Sequence, residues 1–219
     1  MTCIGYIGEE AYDLVLYIGR TLAALNRRIL IIDMTRSGAM TNALHHGMDL
    51  DSDSGIIHYR GINYIRRVPS SEEMELYETG VILAVFGYDY NQELFPCNRL
   101  IAVTNTFPHI VDKINLCINE AELPRDRLRL LIRDVVSADD VEQVKKRVSF
   151  AYEEEPPNYL YLELTDYLCA VRCQETQTVN FENISQGMKN YILCSIRQML
   201  PELGSVRIKR AMHLARKGR

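Results

Sequence analysis

Apolar residues along this chain come in short dense runs that alternate with stretches of helical spacing. The runs at 2–7 (TCIGYI), 28–33 (RILIID), 80–87 (GVILAVFG) and 99–104 (RLIAVT) have all but continuous apolar centres. Such runs predict strands buried on both faces, as in a parallel sheet. Weaker strand signals follow at 62–67 (INYIRR), 127–133 (RLRLLIR) and 158–164 (NYLYLEL). Between strands, residues 9–26 set Ala11, Leu14, Val15, Ile18, Leu22 and Leu25 at the period of a helix, with Glu9 and Glu10 in its first turn and Asn26 as its stop. Further helices are predicted at 108–121, opening at Pro108, at 138–148, acidic first and basic last, and at 185–200, capped by Ser185 and stopped by Pro201. Two short ones fall at 39–46 and 70–77, the second with Ser70 and Glu73 spaced as a capping box. Residues 47–61 read as loop, and the run 153–157 (EEEPP) breaks structure. The first strand, helix and strand form a βαβ unit, whose crossover should be right-handed. Continued alternation implies a doubly wound α/β fold: a mostly parallel sheet with helices on both faces. We expect one domain over 1–204 and a basic C-terminal tail or helix over 205–219.

Composition changes this picture little, and charge changes it more. The chain has 219 residues, 47% hydrophobic and 25% charged, ordinary for a globular domain. No apolar run is long enough to cross a membrane, and the first ten residues lack the basic start of an export signal. The net charge of -4 hides an asymmetry. Six of the 25 lysines and arginines fall within 206–219, with none of the 29 acids, so 19 basic residues face 29 acidic ones in the body. The body should repel nucleic acid, and only the tail could attract an anionic partner. Its residues Arg207, Lys209, Arg210, Arg216 and Lys217 are candidates for an anionic partner or membrane, with Ile208, Ala211, Met212 and Ala215 sharing a weakly apolar face.

Six cysteines occur without a CxxC pair, and Cys169 with Cys173 is poor zinc spacing. Reduced core thiols and a cytoplasmic location, with a peripheral position on the inner membrane face as an option, are expected. His45 and His46 lie near Asp49, Asp51 and Asp53, but a calcium loop counted from Asp49 puts Ser54 and Arg60 where Gly and Glu are needed. A solvated acidic loop fits better, and no metal or other cofactor is expected. No serine sits in a nucleophile-elbow context, so no catalytic residue is assigned.

The turn after the first strand decides the functional reading. It runs Gly5-Tyr6-Ile7-Gly8-Glu9-Glu10-Ala11-Tyr12. Its place is that of a phosphate-binding loop, yet it has no lysine and no serine or threonine. The stretch from Ile4 through Leu22-Ala23-Ala24-Leu25-Asn26-Arg27-Arg28-Ile29-Leu30-Ile31-Ile32-Asp33 resembles the opening of the MinD/ParA family of P-loop ATPases. In that resemblance Gly5 and Gly8 fall under loop glycines of the deviant Walker A motif. The signature lysine falls on Tyr6, the phosphate-cradling lysine on Ala11 and the magnesium-binding hydroxyl on Tyr12. Asp33 falls on the first acidic switch residue. Asp89 is near the expected Walker B region without its D-x-G context.

The resemblance implies a P-loop NTPase-like fold with its nucleotide chemistry removed. A like-charge pair at 4 Å costs about 4 kcal/mol at an effective dielectric of ~20, so Glu9 and Glu10 oppose a triphosphate. The expectation is a pseudo-ATPase, in the manner of CpaE-like proteins, acting through protein contact in a bacterial envelope machine: pilus assembly, flagellar placement or secretion. Its partners would be a competent ATPase or a component of that machine. Active relatives dimerise around two ATP molecules, so the oligomeric state stays open here. Two other readings stand beside it. An enzyme or ligand-binding protein could use Glu9, Glu10 and Asp33 in an altered cleft. A receiver-like or flavodoxin-like signalling domain would need a lysine near the fifth strand's end, where residues 103–107 (VTNTF) supply none.

Overall fold

The computed structural model describes residues 2–42, 44, 55–91, 95–121, 123, 125–154 and 156–216. Its strands are β1 (Thr2–Gly8), β2 (Ile29–Asp33), β3 (Ile57–Tyr59), β4 (Ile62–Ile65), β5 (Val81–Gly87), β6 (Arg99–Thr104), β7 (Leu128–Val135) and β8 (Tyr159–Tyr161). They form one sheet in the order β3-β4-β2-β5-β1-β6-β7-β8. Every neighbouring pair is parallel except β3 with β4. The apolar runs that lacked a polar side are the central strands: β2 and β5 are buried along their whole length, and β1 from Cys3 on.

The helices are α1 (Tyr12–Ala24), α2 (Ala39–Asn42), α3 (Ser71–Glu75), α4 (Pro108–Glu120), α5 (Ala138–Arg147), α6 (Leu164–Thr176), α7 (Gln186–Met199) and α8 (Ser205–Arg216). Residues of α1, α6, α7 and α8 share one apolar core with one sheet face, and those of α4 and α5 share another with the opposite face. The strand side chains alternate between them: Tyr6 joins the first core and Ile7 the second. This is the doubly wound arrangement expected. Ser70 and Glu73 complete a capping box, and the Ser185 hydroxyl accepts the Met188 amide at 3.0 Å. Asn26 stands just past α1 with φ 59°, the left-handed stop that Asn tolerates. Among the described residues, no helix is long and apolar enough to cross a membrane.

Four expectations change. The first helix begins at Tyr12, not at residue 9, so Asp13 rather than Glu9 or Glu10 occupies its first turn. The loop expected over 47–61 contains β3, a three-residue edge strand that closes a hairpin through Arg60 and Gly61, both at positive φ. Helix α6 stands where no helix was foreseen. Its inner face carries Asp166, Cys169, Ala170 and Cys173, and its outer face carries Leu164, Tyr167 and Leu168. Apolar residues on both sides leave no 3.6-residue contrast to read. The expected strand over 158–164 shortens to Tyr159–Tyr161 because α6 takes its end. The histidines and aspartates at 45, 46, 49, 51 and 53 lie outside the described residues.

Candidate functional site

The sheet's carboxyl edge is where a doubly wound fold binds ligands. Strand β1 runs through Gly8, and only residues 9–11 separate it from α1. Gly8 has φ +100°, and a Cβ there would lie 2.3 Å from the Val103 carbonyl oxygen. Only glycine fits. The Glu9 amide then donates to that same Val103 oxygen at 2.9 Å. The turn is therefore folded tightly onto β6, with its first amide already used. Gly5 and Tyr6, counted in the loop from the sequence, are inside the strand. A Cβ at Gly5 would meet Leu100 at 2.7 Å and Phe86 at 2.8 Å, so its glycine serves packing. The Tyr6 ring is fully buried, and its hydroxyl takes no hydrogen bond among the described residues. Burial, with Tyr191 nearby, pushes its pKa well up. Ala11 is buried, and Tyr12 is half-buried, its hydroxyl pushed up to about 12 by burial first and then by Asp13.

Each carboxylate at the turn is held by a neighbour. Glu9 accepts the Tyr88 hydroxyl at 2.9 Å, and the Lys113 ammonium sits 3.7 Å above the centre of the Tyr88 ring. Burial, then the bond to Glu9, raises the Tyr88 pKa and keeps it a donor. Glu10 accepts the Ser37 hydroxyl at 2.7 Å. Asp13, buried, takes both ends of the Arg133 guanidinium at 2.7 Å each. Burial pulls Arg133 down, but the charge and hydrogen bonds of Asp13 outweigh it and raise its pKa. Asp33, at the end of β2, accepts the Thr35 amide at 3.1 Å and the Thr35 hydroxyl at 2.6 Å, which shapes the turn into α2. Arg36 pairs with Asp89 at 2.7 and 3.0 Å. Thus Glu9, Glu10 and Asp33 do converge on one edge, as the sequence suggested. Asp13, Tyr88, Lys113 and Arg133 join them without having been foreseen, because Tyr88 and Arg133 meet Glu9 and Asp13 across 79 and 120 residues, Lys113 enters only through Tyr88, and no local spacing marks them.

Two cavities flank the turn. One of about 620 Å³ includes Gly8, Glu9, Arg36, Asp89 and Lys113 in its lining. The other, about 210 Å³, lies toward β7, β8 and α6 and includes Glu10, Asp13, Asp134, Glu163 and Asp166. A triphosphate at the start of α1 would meet Glu9 and Glu10, while Arg133 is already paired with Asp13, and the turn supplies neither a lysine nor a serine or threonine. The residues present do not fit a magnesium-bound nucleotide of the ordinary kind.

The C-terminal segment is a docked helix rather than a loose tail. Ile208, Ala211, Met212 and Ala215 of α8 are buried, in one core with α1 and α7. Arg207, Lys209 and Arg210 face outward, Arg216 reaches the Glu182 carbonyl at 3.4 Å, and Lys217 lies outside the described residues.

Known structures share this architecture. A chain of the Aquifex aeolicus MinC:MinD cell division protein complex superposes with a TM-score of 0.62 at 13% identity, over 90% of this chain and 96% of that one. A putative plasmid partition protein from Borrelia burgdorferi bound to AMPPNP gives 0.61 at 13% identity, over 90% and 99%. The chain has the MinD/ParA fold. A ParA family ATPase from Chlorobium tepidum, at TM-score 0.54 and 11% identity, matches over 98% of both chains. No family model matches the sequence, and no curated protein matches it. The MinD/ParA fold is thus retained at identities far below those at which side chains at a site can be presumed shared.

Proposed function

We propose that this chain is a non-hydrolysing member of the MinD/ParA-like group, a pseudo-ATPase that works by protein contact. The observation that supports it most is the pair Glu9 and Glu10 in a three-residue turn whose first amide is bonded to β6. A phosphate-binding loop needs free amides and positive charge at that place. Here the degenerate loop offers negative charge, held by Tyr88 and Ser37. Similar solved structures include a MinC:MinD complex and a plasmid partition protein. By extension, this chain is a scaffold or positioning subunit of a bacterial envelope machine, with a competent ATPase or a machine component as its partner. Phosphate release at millimolar Mg-ATP should equal that of buffer alone. Sustained turnover that vanishes on Asp33→Asn would sink this reading.

Contact of α8 with an anionic membrane is a second part of the proposal, in a narrowed form. Its apolar side is committed to α1, so attraction comes from Arg207, Lys209 and Arg210, worth about 1 kcal/mol each near an anionic surface. Sedimentation with phosphatidylserine vesicles should be weak and lost on reversing those three charges. Undiminished sedimentation of the reversed variant would refute it.

A further inference from the structure

Where the sheet ends at β8, an apolar surface remains uncovered. Val136, just past β7, is 73% exposed, Leu162 56%, Leu164 69% and Tyr167 62%. Leu164, Tyr167 and Leu168 recur at i, i+3 and i+4 along α6, so they share one face. That face is opposite the one that meets the core. Single exposed apolar residues are ordinary, but a group gathered where the ends of β7 and β8 meet α6 marks a contact site. The strand contributes more than side chains. The Leu162 amide bonds to Val135 and the Asn158 carbonyl to Ile132, so Tyr159 and Tyr161 turn their backbone groups toward the open edge.

Charge says what covers this surface. The 210 Å³ cavity beside it is lined by Tyr161, Leu162 and Tyr167 together with Glu9, Glu10, Asp134 and Glu163. Its cation, Arg133, is paired with both oxygens of Asp13, and its charge also acts on Asp134, which leaves one cation among these acids. Tyr88 and Ser37 donate to Glu9 and Glu10 without neutralising them. The Asp134 and Glu163 side chains take no hydrogen bond among the described residues. Asp134 also stands at φ 56°, where the register between β7 and β8 shifts. A non-glycine residue held there costs of order 1 kcal/mol, and such strain gathers at functional positions. An isologous contact with a second copy would set these acids against themselves. An anionic lipid surface would be repelled by them.

We propose that this face docks an amphipathic segment of a partner protein, with leucine-sized residues against Val136, Leu162, Leu164 and Tyr167 and with lysines or arginines directed at Asp134 and Glu163. The proposal deepens the protein-contact reading above and rests on it, since the acid-lined cleft must be free of nucleotide. The probe is a short fluorescent synthetic peptide of leucine and arginine in helical pattern, titrated by anisotropy against the full chain at physiological ionic strength. Leu162→Ser with Leu164→Ser should weaken binding about tenfold, and Asp134→Asn with Glu163→Gln about fivefold with a shallower salt dependence. Glu72→Gln with Glu75→Gln, exposed acids on α3, should leave it unchanged. Equal loss from the α3 pair, or binding within about twofold for the leucine pair, would overturn the proposal. So would light scattering that finds a dimer dispersed by the leucine pair, which would assign the face to a second copy. A micromolar calorimetric response to Mg-ATP would instead sink the nucleotide-free reading, and it leaves this comparison of variants intact.

Discussion

Helices α8 and α6 invite comparison because one closes its apolar side within the domain and the other leaves apolar residues outside. The basic pattern of α8, with Arg207, Lys209 and Arg210, suggests a surface segment, yet its apolar side closes over α1. The first two turns of α6 carry apolar residues on both sides, and of these Leu164 and Tyr167 face solvent. The amphipathic period decides the first case. One stripe of Ile208, Ala211, Met212 and Ala215 has one surface to cover, and α1 supplies it. In the second case the core takes Cys169, Ala170 and Cys173 and leaves Leu164, Tyr167 and Leu168 outside. A helix with one apolar side is completed by its own domain, whereas one with two needs something else.

The comparison can be broken by mutation. Helix α8 leans on α1, whose first turn borders the cavity beside α6, and the largest expected effect is at that turn. Asp13→Ala would take the buried partner from the half-buried Arg133 cation and should cost about 3 kcal/mol in denaturant unfolding. A loss under about 1 kcal/mol would mean that water reaches the pair and that the cleft floor beside α6 is open. Next is the direct contrast. Ile208→Ala, fully buried on α8, should cost about 2–5 kcal/mol, while Leu164→Ala on the outer face of α6 should stay within about 0.5 kcal/mol. Equal costs would erase the difference between the helices. The smallest effect lies at α3, a control far from both. Arg67, then burial opposing it and the Ser70 amide reinforcing it, sets the Glu73 pKa down to about 2 from 4.5. A carboxyl lowered by folding stabilises above its unfolded pKa and loses that contribution as pH falls through its folded value. About 1 kcal/mol of capping should therefore fade between roughly pH 4.5 and 2, and Glu73→Gln should remove that pH dependence.

The same contrast explains what the sequence could and could not tell. The central strands were legible because β2 and β5 are buried on both faces, and the caps at Ser70 and Ser185 because capping is local. Strand β3 escaped because it has three residues and lies in a stretch dominated by Gly, Ser and Asp. Helix α6 escaped for want of a period. The resemblance in the first 33 residues pointed to the right fold, since strand, turn, helix and strand follow one another without insertion. Glu9, Glu10 and Asp33 were legible by position. Their partners Tyr88 and Ser37, and the Asp13–Arg133 pair, are tertiary facts. The turn itself was overextended: the sequence cannot show that Val103 pulls Glu9 inward, which leaves Gly5 and Tyr6 in the strand.

The central claim is that a MinD/ParA fold here holds acids where a nucleotide's phosphates would lie. Calorimetric titration of Mg-ATP into the full chain tests it most directly. The account predicts no saturable heat up to millimolar nucleotide. A one-to-one isotherm with micromolar affinity, abolished by exchanging Ala11 for a bulkier residue, would contradict it.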